Sequence, residues 1–147
     1  MIRVGVVGAA GRMGANVCAA VAADPALELV AAVDTNSGGS TTQGLRIERE
    51  LKALADAKVD VAVDFTVADA ARVTLPWLAL HGVHAVVGTT GFTDADIAAF
   101  RQEFTRSNCL IAPNFAIGAV LMMRFADRKS TRLNSSHSQQ SRMPSSA

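Results

Sequence analysis

Along most of the chain, short and nearly unbroken apolar runs alternate with longer stretches whose apolar residues recur at helical spacing. Ile2 to Gly8 is the first run; it is β-branched and almost continuously apolar, which reads as a strand buried on both faces. The Ala-rich segment Arg12 to Ala23 reads as a helix, stopped at Asp24-Pro25 because proline cannot continue it. A second strand follows over Glu28 to Asp34, then a polar, glycine-containing loop over Thr35 to Gly44. From Arg46 to Ala57, Ile47, Leu51 and Leu54 form a one-sided apolar stripe that predicts a helix.

Val59 to Asp64 predicts a third strand, and Ala68 to His81 a helix with a kink or break at Pro76. His84 to Gly88 predicts a fourth strand. Thr93-Asp-Ala-Asp96 resembles a capping box that opens a helix from Ala95 to Ser107. Cys109 to Ala112 predicts a fifth strand, and another helix starts at Ala116 and runs to Ala126. Five short apolar strands separated by helices favour parallel pairing through crossover connections. The expected architecture is α/β, a doubly wound and mostly parallel, Rossmann-like sheet.

The pattern stops at about Asp127. Residues 128–147 hold seven serines, with Leu133, Met143 and Ala147 as the apolar members. Such a segment cannot bury enough surface to offset its ordering entropy, so disorder is expected over 127–147. The break falls inside a helix that is still apolar (Val120-Leu-Met-Met), which predicts that the native reading frame ends there. The tail would then be foreign, arising from truncation, a cloning scar or sequence contamination. The expected organisation is one Rossmann-like domain over 1–126 followed by a non-native tail over 127–147.

Composition narrows the picture further. A chain of 147 residues, half of them apolar, suits one domain with a proper core. No apolar stretch is long enough to span a membrane, and the chain opens on a strand rather than a signal sequence, so a cytoplasmic location is expected. The net charge of +1 conceals an asymmetry: residues 1–127 carry ten Lys/Arg against thirteen Asp/Glu, and all four charges of the remainder are basic. A mildly acidic globular part with no basic face argues against nucleic-acid binding. Cys18 and Cys109 fall in a predicted helix and strand and read as small buried hydrophobes. His81, His84 and His137 have no spacing that makes a metal site, and Asp94 and Asp96 read as first-turn helix acids.

The chemistry concentrates at strand ends. Gly8-Ala9-Ala10-Gly11-Arg12-Met13-Gly14 joins the first strand to the first helix. Gly8 permits a tight exit, Gly11 lets backbone approach a diphosphate, and Gly14 lets the helix pack close to the sheet. The phosphates would rest on the exposed N–H groups of the helix start. The spacing is G-x-x-G-x-x-G, and its weight comes from the flanking strand and helix and from Asp34, twenty residues past Gly14 at the second strand's end. Asp34 is positioned to accept from both adenosine ribose hydroxyls and to repel a 2′-phosphate, which favours NADH; Arg12 could neutralise phosphate nearby and argues the other way. A loop-capping Asp is the alternative reading.

Gly88-Thr89-Thr90-Gly91 follows the fourth strand, where backbone flanked by glycines suits a planar ring such as nicotinamide. Ala112-Pro113-Asn114-Phe115 ends the fifth strand at the same edge, with Asn114 able to bond a carboxamide and Phe115 offering an apolar face. Asp64-Phe65-Thr66 ends the third strand similarly.

Four segments in this order, Val4 to Gly14, Val63 to Thr66, Val86 to Phe92 and Ala112 to Gly118, resemble the 4-hydroxy-tetrahydrodipicolinate reductases of lysine and diaminopimelate biosynthesis. The resemblance implies a cofactor site for NADH or NADPH at residues 8–13, Asp34, Gly88 to Thr90 and Ala112 to Phe115. It further implies a homotetramer in the intact enzyme and hydride transfer to a small cyclic dicarboxylate. The family's His-His motif with its catalytic basic residues and its Ser-Gly-Thr substrate loop match no position here. No catalytic residue is therefore assigned, and the chain is expected to be an inactive cofactor-binding fragment. Ala9, where some relatives carry a basic or glycine residue, leaves the choice between NADH and NADPH open. A different dehydrogenase of amino-acid biosynthesis and a non-catalytic NAD(H)-sensing module remain as alternatives.

Overall fold

A computed structural model describes residues 1–112. Pro113, Asn114 and Phe115, the expected helix from Ala116, the domain limit at 126 and the serine-rich tail lie outside the described residues. In chain order the elements are β1 (Ile2–Val7), α1 (Arg12–Ala23), β2 (Leu27–Val33), β3 (Thr41–Thr42), β4 (Leu45–Glu48), α2 (Lys52–Asp56), β5 (Val61–Asp64), α3 (Ala68–Leu80), β6 (His84–Val87), α4 (Asp94–Glu103) and β7 (Cys109–Ile111). The strands form one sheet in the order β3-β4-β2-β1-β5-β6-β7. All neighbours pair in parallel except β3 and β4. Among the described residues, no helix is long and apolar enough to cross a membrane.

Parallel strands covered on both faces must be apolar throughout, and the two cores show why. Val6, Ala32 and Ile47 point to one face, where Ala9 and Cys18 complete a smaller cluster beneath α1. Val7, Val33 and Val87 point to the other, where they meet Leu54 of α2, Leu75 and Leu78 of α3, and Phe100 of α4. Helices on both faces make the sheet doubly wound, as expected. From β1 the chain winds outward to β2 and β4, then returns to build β5, β6 and β7 on the other side. The winding reverses between β1 and β5, and a crevice opens there at the strands' carboxyl ends.

The helix expected over Arg46 to Ala57 is corrected: Leu45–Glu48 is strand β4, and only Lys52–Asp56 is helical. Ile47 is buried while Arg46 and Glu48 are exposed, a period of two that the spacing to Leu51 and Leu54 masked. Pairing with β2 decides the matter, because Asp34 N–H donates to Glu48 O at 2.8 Å and the strand gains a register partner. The expected loop over Thr35 to Gly44 contains strand β3, which closes a short antiparallel ribbon through Gln43 and Gly44, both at positive φ. The described residues thus hold seven strands rather than five. Helix α3 continues through Pro76, which removes the break from the expected kink or break; it packs Leu75, Leu78 and Ala79 into the core, and that burial outweighs one missing backbone bond. Helix α4 stops at Glu103 rather than Ser107, and the capping box at its start is present in full, with Asp96 N–H donating to Thr93 Oγ1.

Candidate functional site

Strand β1 ends in a turn that only glycine can make comfortably. Gly8 has φ +77°, a conformation costly to L side chains. Its N–H donates to Val33 O at 2.8 Å, and Gly11 N–H folds back onto Gly8 O at 3.1 Å. At Gly14 the reason for glycine is proximity: a Cβ there would lie 2.0 Å from Gly8 O and 2.9 Å from Ala9 Cα. Helix α1 therefore starts tight against the strand exit. Its N-cap, Gly11, brings no side chain to the helix start, so the first-turn N–H groups of Arg12 and Met13 face out with no helical acceptor. Arg12 and Met13 are exposed, as are Ala10 and Gly11, whereas Ala9 is buried in the smaller core.

Asp34 stands just past the end of β2 beside this turn. One carboxylate oxygen accepts the Ala10 N–H at 3.2 Å, and the other accepts from Asn36 N–H at 3.0 Å and Ser37 N–H at 3.2 Å. Asp34 therefore caps its own loop, the alternative reading of the sequence, and also reaches the glycine turn. The structure brings Asp34 together with Gly8 and Gly11 along one cleft of about 430 Å³, whose other side is Phe65, Thr66, Val67, Ala70 and Thr74. A larger hollow of about 880 Å³, lined by Arg46, Arg49 and Lys52 together with Glu48, Glu50 and Asp56, lies off β4 and α2, away from the glycine turn. Its mixed charges favour no one ligand class, whereas the smaller cleft sets an acidic acceptor beside the glycine turn that leads into α1.

On the β5–β6 side, Phe65 lies flat against Gly88: a Cβ on Gly88 would fall 2.1 Å from the Phe65 ring. Thr90 is exposed. Thr89 is not turned toward the cleft. It is buried, and its hydroxyl lies 3.1 Å from both Asp64 Oδ1 and Thr66 O. Asp64 itself is fully buried, and burial raises its carboxyl pKa above the usual range while bonds from Thr66 and Thr89 hold it back. Ala112, half-buried, follows β7 with its N–H on Val87 O at 3.0 Å.

Several cleft residues escaped the reading of the sequence. Ala70, Val73 and Thr74 share a helical face at i, i+3 and i+4, and Leu51 arrives from the link between β4 and α2. The helical spacing of the first three was legible; the placement of Leu51 depended on β4, which was taken for a helix. His81 and His84 are structural, and His137 lies outside the described residues. His81 stacks on Trp77 with ring centroids 3.8 Å apart, and His84 Nδ1 accepts the Asn108 N–H at 3.0 Å. No cluster of three metal-ligating side chains occurs among the described residues.

Comparison with known proteins agrees with this geometry. Residues 2–115 match the family model described as dihydrodipicolinate reductase, N-terminus. The chain is 44% identical over 131 residues to 4-hydroxy-tetrahydrodipicolinate reductase of Cutibacterium acnes, covering 87% of this chain and 48% of that protein. It is 46% identical over 130 residues to the reductase of Nocardia farcinica, covering 86% and 48%. The solved dipicolinate-bound dihydrodipicolinate reductase from Paenisporosarcina sp. TG-14 superposes with a TM-score of 0.73 at 30% identity, over 86% of this chain and 52% of that one. The chain spans about half the length of the curated relatives it matches. Four strand-end motifs, one doubly wound sheet and a family match over most of the chain converge: this chain belongs to the dihydrodipicolinate reductase family and corresponds to its N-terminal part.

Proposed function

We propose that residues 1–112 form a nicotinamide-dinucleotide site, and that a protein of the relatives' full length uses it to reduce 4-hydroxy-tetrahydrodipicolinate to tetrahydrodipicolinate. The observation that carries the reading is the pairing of a side-chain-free helix start at Gly11 with an acidic acceptor, Asp34, one strand away. The diphosphate would rest on the Arg12 and Met13 N–H groups, favoured by the dipole of α1. Asp34 would take the adenosine ribose hydroxyls, and its charge favours NADH over NADPH. The cofactor, when bound, supplies the hydride; this chain's residues bind and orient it. Gly8, Ala9, Ala10, Gly11, Arg12, Met13, Gly14, Asp34, Phe65, Gly88, Thr89, Thr90 and Ala112 belong to this proposed site; Pro113, Asn114 and Phe115 are assigned to it from the sequence alone. Thr89 enters through its backbone, given where its hydroxyl lies.

Asp34 is the single charged side chain lining the described cleft, which holds no His, Lys or Cys to deliver a proton. Binding without turnover is therefore expected of the 147-residue chain. The small dicarboxylate substrate, a homotetrameric assembly and a cytoplasmic location belong to the same proposal. Calorimetric titration tests its core. NADH should bind the wild-type chain more tightly than NADPH, and Asp34→Ala should weaken NADH about tenfold or more and narrow the gap between the two. Unchanged NADH affinity in Asp34→Ala would remove the ribose role and, with it, the reading.

A further inference from the structure

The most unusual group in the described fold is Asp64, a carboxylate with no exposed surface set between Val7 and Val87 of the larger core. Its two oxygens are treated very differently. Oδ1 accepts from the Thr66 N–H at 2.8 Å and the Thr66 hydroxyl at 2.6 Å, and lies 3.1 Å from the Thr89 hydroxyl. Oδ2 is buried with no hydrogen-bond partner among the described residues. A valine or leucine would fill this apolar position without that desolvation cost, so stability alone does not explain an acid here.

What Asp64 does is tie two loops together. Thr66 begins the link from β5 to α3, and Thr89 the link from β6 to α4; both side chains converge on one oxygen. Between them the Phe65 ring is held against Gly88, and the Gly88 N–H donates to Asp64 O at 2.9 Å. The sheet order then says which part of a ligand this clamp serves. The ends of β2, β1, β5 and β6 lie in a row. With adenosine at Asp34 beyond β2 and the diphosphate at the glycine turn beyond β1, the second nucleoside falls on Phe65 and Gly88, beyond β5 and β6.

We propose that Asp64 is a positioning residue for the nicotinamide half of the dinucleotide: without touching the ligand, it fixes Thr66 and Thr89 so that Phe65 and Gly88 form a rigid floor. This rests on the dinucleotide reading above. The hydrogen bonds of Asp64 itself reach neither the glycine turn nor Asp34, while Phe65 and Thr66 also border Gly8, so the role is read from the difference between the two ends of the cleft.

Two probes separate the ends. NADH carries both nucleosides, while ADP-ribose shares the adenosine, diphosphate and second ribose but lacks the nicotinamide ring. In titrations of the whole 147-residue chain, Asp64→Ala and Thr89→Val should each weaken NADH about tenfold and leave ADP-ribose within about twofold of wild type. Asp64→Asn, which keeps Oδ1 as an acceptor for all three donors, should recover most of the NADH affinity. Thr89→Val, which removes only the hydroxyl and keeps the shape, carries the test if Asp64→Ala does not fold. Equal losses for the two ligands would make Asp64 a general support of the fold and overturn the proposal, as would unchanged NADH binding in both variants. Wild-type protein that binds neither ligand would instead sink the dinucleotide reading, and this one with it.

Discussion

Cys109 illustrates how surroundings rather than residue type set reactivity. Burial, with the nearby Asp64 charge adding to it, pushes its thiol pKa up to about 11; burial raises that of Cys18 as well. At pH 8 only on the order of one Cys109 in a thousand would be thiolate, the form that attacks an alkylating agent. Iodoacetamide at that pH should leave both cysteines of the folded chain largely unmodified and label them promptly in urea, as mass spectrometry would show. Native Cys109 labelling as fast as in urea would contradict its assigned environment. At this scale, residue identity and spacing carried the reading only part of the way. The distance from Gly14 to Asp34 was enough to pair the glycine turn with a carboxylate. The direction of the Thr89 hydroxyl was not legible, because it depends on Asp64 standing opposite Val87 across two strands.

Elements were legible where one periodicity dominated. Strand β1, helix α1 and the capping box of α4 each carried a single local signal. Strand β4 did not: Ile47, Leu51 and Leu54 fit a helical stripe, while Leu45–Glu48 alternates with a period of two, and only the partner strand β2 chooses between them. Helix α3 failed in the opposite direction, since burial of Leu75 and Leu78 keeps it whole through Pro76. The junction of β1 and α1 offers the sharpest element-level test. An alanine Cβ at Gly14 would meet Gly8 O, Gly8 C and Ala9 Cα, all within 2.9 Å and all backbone, which has no rotamer to relax into. Gly14→Ala should therefore destabilise the chain by about 3 kcal/mol, in the range for overpacking, and push α1 away from the turn. Urea denaturation would give the first number, and reduced NADH affinity in the surviving folded fraction the second consequence. A loss under about 0.5 kcal/mol would mean that the helix sits looser than described.

Across the whole molecule, the two carboxylates at the β5–β6 side answer pH in opposite senses. Arg72 on α3 holds Asp96 on α4 through two bonds of 3.0 Å, and also bonds Asp69 at 2.6 Å. Hydrogen bonding from Arg72, with help from Thr93, keeps the Asp96 carboxyl well below the ordinary carboxylate range. Its folded value being depressed, Asp96 contributes stability that is complete above the unfolded value of about 4 and fades as the pH falls below it. Asp64, with its folded value raised, does the reverse: its contribution is present in acid and is lost as pH rises through the folded value. The pH profile of the wild type alone therefore mixes two opposing trends. The difference between wild type and Arg72→Gln does not, because Asp64 is common to both. That difference, measured by urea denaturation, should be constant from neutral pH down to about 5 and shrink steadily below about 4, as Asp96 protonates in both chains. A gap that stayed constant into strong acid would assign Arg72 a packing role alone. The two helices on that face would then owe their docking to the apolar core that Leu75 and Leu78 of α3 share with Phe100 of α4, rather than to the ion pair that crosses between them.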